Sequence, residues 1–182
     1  MSRITYIEAI EATGILRQLA DFDPHVAGTL PLDVHTGTSD IDILCHAPDD
    51  ERFSELLWSC FGGEGDFRMW QWSGSGRPVL ASFRAHGWEF EIFGAGVPVA
   101  EQSGWRHFEV ERRLLALGGP AFRDAVMALR GKGVKTESAF WAALGQTGDP
   151  YQGMLGLYHR TDDELVGVLA PLWRGSLPRA RR

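Results

Sequence analysis

Apolar and polar positions change their rhythm near Pro98. Before it, short runs alternate and are punctuated by Gly, Pro and Asp; after it, apolar residues recur every three or four positions. Residues 5–20 open the chain with a predicted helix, where Thr5 and Glu8 have the spacing of a capping box and Ile7, Ile10, Leu16 and Leu19 fall roughly on one face. "HVAGTLPL" predicts a short strand broken by Gly28 and Pro31, and "SDIDILCHA" a second strand. "DDERFSELLWSCF" predicts a helix capped by Asp49 or Asp50. "FRMWQW" is strand-like, and "VLASFR" and "WEFEIFG" flank the short turn "AHG" as a hairpin. Beyond Pro98, "VAEQSGWRHFEVERRLLALGG", "PAFRDAVMALRG", "TESAFWAALG" and "DPYQGMLGLYHR" read as helices separated by Gly or Pro. Strands followed by helices predict an α+β fold. We expect a core over residues 1–97 and a helical region over 98–182 that packs on it as one structural unit.

Within "GTSDIDILC", Asp40 and Asp42 alternate with Ile41 and Ile43. Aspartate is depleted in strand interiors, so two of them on one strand face call for a reason. Two residues along a strand separate Cα atoms by roughly 7 Å. Carboxylates at that spacing can share a divalent ion, and without one they repel. Taken alone, Asp-x-Asp fits a solvated edge equally well. Its context adds Gly28 and Thr29 at the end of the preceding strand, where glycine permits positive φ and close backbone approach to a ligand. It also adds acids on a later strand, Glu89 and Glu91 in "WEFEIFG". Alternation puts both glutamates on one face and does not choose between them. A glycine turn, paired aspartates and a third acid suit in-line displacement at phosphorus.

The formal net charge of −6 excludes a surface built for non-specific nucleic-acid binding, which needs clustered Lys and Arg. Between Arg17 and Arg52 there is no Lys or Arg, while eight acids fall there. The two cysteines, Cys45 and Cys60, form no disulfide framework or zinc spacing and read as thiols of a reducing compartment. With no span long and apolar enough for a bilayer, and an N-terminus too polar for a secretory signal, a cytoplasmic protein is expected.

"VAGTLPLDVHTGTSDIDIL" resembles the signature of the nucleotidyltransferase superfamily, the polymerase β-like fold: Gly-Ser, a gap of about ten residues, Asp-hydrophobic-Asp, then a carboxylate on a later strand. With "FEIFG", "GVKTESAF" and "GDPY", the chain resembles an uncharacterised bacterial branch of that superfamily, a domain of unknown function, from about Gly28 to Tyr151. The resemblance implies a small mixed sheet with flanking helices, followed by a helical C-terminal region. It implies a Mg²⁺-dependent transfer of a nucleoside monophosphate from a triphosphate such as ATP to a hydroxyl, with Mn²⁺ as the alternative ion. It assigns Asp40, Asp42 and Glu91 to metal and catalysis, and Gly28, Thr29 and Ser39 to the nucleotide. Thr29 stands where the family has Ser, and Glu91 where Asp is commoner. The stretch after Gly28 lacks the Arg or Lys that many members carry.

Cations for a triphosphate are therefore sought in "RGKGVKTE", where Lys132 and Lys135 flank a glycine turn and Thr136 is placed to cap the next helix. His107 reads as a structural helix residue with Glu111 as its partner, and Cys45 as core. Expected partners are a nucleoside triphosphate and an unknown acceptor, with no membrane. Two other function classes fit the same residues: a nucleotide-sensing module without turnover, and a toxin/antitoxin-type enzyme that modifies another protein.

Overall fold

The computed structural model describes residues 3–174. The chain divides into two compact units, one formed by the residues up to Pro31 together with Gly37–Trp105, the other by Leu32–Thr36 together with the residues from Arg106 onward.

The first unit opens with α1 (Tyr6–Thr13), whose Thr5 side chain accepts from Glu8 N while the Glu8 carboxylate accepts from Thr5 N at 2.8 Å. The expected helix over 5–20 does not run through. Gly14 takes φ +64°, ends α1, and a separate turn α2 (Ile15–Gln18) follows. Glycine pays no Cβ penalty in that conformation, so a helix stop is favoured there. β1 (His25–Ala27) then pairs antiparallel with β2 (Ile41–His46). After α3 (Asp50–Phe61), capped by Asp49, come β3 (Gly65–Gln71), β4 (Val79–Ala85) and β5 (Trp88–Ala95). The sheet order is β1-β2-β5-β4-β3, with β2 and β5 parallel and the other pairs antiparallel.

One sheet face is the core. Ile41, Ile43 and Cys45 of β2, Phe90 and Ile92 of β5, and Ala81 and Phe83 of β4 are buried against Phe53, Leu57 and Phe61 of α3. Phe61, Phe83 and Phe90 stack with ring centroids 4.9 Å apart at each step. Gly94 lies so close to Phe53 that a Cβ there would come within 2.1 Å of the ring. Burial of Cys45, with Asp23 as a second cause, pushes its thiol up to about 12, so it is the inert core residue its apolar run implies. This packed face fixes the strands whose other face carries the acids.

Helix α4 (Ser103–Arg130), in the second unit from Arg106 on, is interrupted at Gly119, φ +63°, just before Pro120, which matches the two helices expected there. α5 (Thr136–Ala143), α6 (Pro150–Leu157) and α7 (Asp162–Arg174) follow. The N-cap of α5 is Lys135, without a side-chain cap, so Thr136 is already inside the helix and does not cap it. Helix α7 was not expected, although Thr161 and Glu164 form a second capping box, with Thr161 N donating to the Glu164 carboxylate at 2.8 Å. Arg113 ties α4 to the start of α7 through Asp162 at 2.6 Å. His107 lies 3.7 Å from Glu137 and 3.1 Å from the Tyr151 carbonyl. No described helix is long and apolar enough to cross a membrane.

Candidate metal centre

The parallel register of β2 and β5 places Asp42 directly beside Glu91. Asp40 immediately precedes β2, and one carboxylate oxygen each from Asp40, Asp42 and Glu91 lies within 4.8 Å of the other two. Both aspartates are half-buried and Glu91 is exposed. Even so, the surrounding protein strips enough water from Glu91 that desolvation is the largest cause raising its carboxyl pKa, followed by the charges of Asp40 and Glu89. Three hard oxygen donors at this spacing fit a divalent cation such as Mg²⁺ or Mn²⁺, which would offset their mutual repulsion.

Gly28 completes one wall. It follows β1 with φ +73°, and its Cα lies so near Asp42 that an added Cβ would stand 1.8 Å from Asp42 Oδ2. Thr29 Oγ1 donates to Ser39 Oγ at 3.1 Å, joining the glycine turn to the loop that enters β2. Ser39 is buried. Glu89 belongs elsewhere: it pairs across the sheet with Arg84, whose guanidinium lies 3.4 Å from its carboxylate.

The structure thus brings Gly28, Thr29, Ser39, Asp40, Asp42 and Glu91 together in the first unit. Lys132 and Lys135 belong to the second unit, both exposed, in and after the turn that ends α4. A residue the sequence reading missed is Arg3. Its guanidinium sits 3.2 Å above the Trp88 ring and donates toward the carbonyls of Gly37, at 3.5 Å, and Ser39, at 3.4 Å. A cation thus holds the "GTSD" loop that seemed to have none, and no local pattern announces a contact 36 residues away.

A family model described as "Domain of unknown function (DUF4269)" matches residues 8–157. The chain belongs to this family. No curated protein matches it. Among solved structures, this DUF4269 member is similar to the Cid1 poly(U) polymerase with MgGTP bound, at TM-score 0.55 and 12% identity over 76% of this chain and 47% of the other. It is similar to a Cid1 H336N mutant bound to MgATP at TM-score 0.55 and 14% identity, over 79% and 50% of the two chains. It also resembles a chain of the GLD-2/RNP-8 complex, at TM-score 0.51 and 11% identity over 95% and 77%. The DUF4269 chain spans about half the length of the Cid1 chains. Identities this low speak to fold, and the fold is that of the nucleotidyltransferases: a five-stranded mixed sheet with flanking helices and a helical C-terminal region.

Proposed function

We propose that this protein is a divalent-metal-dependent nucleotidyltransferase that moves a nucleoside monophosphate from a nucleoside triphosphate to an acceptor hydroxyl. The observation that carries the reading is the convergence of Asp40, Asp42 and Glu91 within 4.8 Å on adjacent strands of this fold. Asp40 and Asp42 would hold the ion, Mg²⁺ or Mn²⁺, with Glu91 as third ligand. Bound there, the ion would supply positive charge to offset that of the triphosphate and of the departing pyrophosphate. Gly28, Thr29 and Ser39 border the phosphate chain. Glu91 takes the acceptor's proton. The acceptor oxygen forms a bond to the α-phosphorus, and the bond from that phosphorus to the bridging oxygen breaks, its electron pair leaving on pyrophosphate. The Cid1 structures with MgGTP and MgATP support a Mg-nucleotide as ligand for this fold.

One observation favours a second reading, a nucleotide sensor without turnover: residues 18–51 contain no Lys or Arg to balance the triphosphate. Incubation with each labelled nucleoside triphosphate, Mg²⁺ or Mn²⁺ and a small-metabolite extract separates the two. Transfer of label with pyrophosphate release, lost in Asp42→Asn, is the expected result. Metal-dependent nucleotide binding without release in any extract favours the sensor, and no metal-dependent binding at all sinks both.

A further inference from the structure

Cross-strand register continues the acidic row beyond Glu91. Asp42 pairs with Glu91, Glu91 with Ser82, and Ser82 with Arg68, one residue each from β2, β5, β4 and β3. Paired residues on adjacent strands share a face, so a carboxylate site at one end is joined through a hydroxyl to a guanidinium at the other. A cavity of about 210 Å³ opens over the far end, lined by Asp66, Arg68, Ser82, Phe83, Arg84 and Glu89. Its charges are not equivalent. Arg84 lies between Asp66, at 3.5 Å, and Glu89, at 3.4 Å, so both acids are already matched. Arg68 makes no ion pair with any described residue. Ser82 is only 8% exposed, lines the cavity, and its hydroxyl makes no hydrogen bond to a described residue. The Ser82 hydroxyl and the guanidinium of Arg68, which has no acid of its own, line one cavity, and two donors converging on one space are the chemistry that holds an anion.

We propose that this cavity is an acceptor subsite that takes an anionic group, phosphate or carboxylate, of the molecule whose hydroxyl reacts at Glu91. The assignment rests on the nucleotidyl-transfer reading for its role, but on Arg68 and Ser82 for its chemistry. Strands lie about 4.8 Å apart, so the anion and the metal centre are separated by roughly two strand spacings, about 10 Å. The acceptor is then a small molecule carrying a hydroxyl at one end and a phosphate or carboxylate about 10 Å away. Arg68 binds the anion, the Ser82 hydroxyl donates to it, and Arg84, pinned by two acids, shapes the wall without carrying free charge.

Nuclear magnetic resonance titration of the full chain with inorganic phosphate, and separately with acetate, both in EDTA, tests this. Shifts are expected at the Ser82 amide and the Arg68 side chain, with affinity about tenfold weaker in Arg68→Ala and weakened in Ser82→Ala. Asp42→Asn should keep the site, since it lies outside the cavity. The stronger of the two titrants identifies the anion. Unchanged affinity in Arg68→Ala, or binding abolished in Asp42→Asn, overturns the subsite. Triphosphate binding in Mg²⁺, measured on the same proteins, tells its failure apart from that of the transfer reading. If both hold, Arg68→Ala retains triphosphate binding. If the wild type binds no triphosphate, the acceptor role falls, while the anion cavity still stands or falls on Arg68→Ala.

Discussion

Gly28 and Asp42 are packed so closely that no side chain larger than hydrogen fits between them: a Cβ at Gly28 would lie 1.8 Å from Asp42 Oδ2 and 2.8 Å from its Cγ. The glycine is thus required twice, by its φ of +73° and by the carboxylate it abuts. Gly28→Ala should cost at least about 2 kcal/mol, from left-handed strain plus displacement of Asp42. In an Asp42→Ala background, where only a Cβ at 3.2 Å remains, the cost should fall to about 1 kcal/mol. Urea denaturation of the four proteins measures this coupling; additive costs would show that Asp42 does not depend on the glycine.

Asp42→Asn keeps shape and removes one of three converging charges. Without metal its melting temperature should be unchanged or higher, because repulsion is relieved. Its Mn²⁺ affinity, read by electron paramagnetic resonance, should fall at least about tenfold. A marked loss of metal-free stability would instead make Asp42 a structural acceptor.

Glu91 carries a pH signature. Its folded-state pKa is raised, chiefly by desolvation. The protonated form is therefore the one the fold favours, and this contribution is present below the unfolded value of about 4.3 and is lost as pH rises through the raised value. Denaturation in EDTA from pH 4 upward should show stability falling across that window, and Glu91→Gln should remove that part of the slope. Mn²⁺ affinity should rise through the same window in the wild type. Equal slopes in both proteins would place the titration elsewhere.

The two glutamates of β5 should part company. Glu91→Gln is expected to abolish transfer while retaining some Mg-nucleotide binding through Asp40 and Asp42. Glu89→Gln should leave metal affinity within about twofold and change stability by less than about 1 kcal/mol, since its ion pair with Arg84 is exposed on both sides. Inactive Glu89→Gln with active Glu91→Gln would reverse the assignment.

Arg3 straps the loop before β2. Arg3→Ala should cost about 1 kcal/mol from the lost contact with Trp88 and should speed amide exchange in residues 37–39. Lowered Mn²⁺ affinity with Asp40 intact would identify it as a positioning residue; unaltered exchange would limit it to packing on the indole.

By itself, the sequence determined which residues bear charge and which way each short strand faces. Period-two alternation put Asp42 opposite Ile41 and Ile43, and set Glu89 and Glu91 together on one face of β5, because successive side chains on a strand point to opposite sides. Capping chemistry marked α1, and the same pattern at Thr161 and Glu164 was present though unread. Alternation cannot say which of two equivalent glutamates meets the aspartates, since it carries no register. That was decided by the parallel pairing of β2 with β5, which aligns Asp42 with Glu91, and of β4 with β5, which sets Arg84 against Glu89. Long-range order also supplied the cations: Arg3 reaches Ser39 across 36 residues, and Arg68 enters the acidic row only because the strands run β2-β5-β4-β3. Local sequence encodes direction along a strand; neighbours across a sheet depend on how distant segments minimise exposed apolar area together, and only the packed fold contains that information.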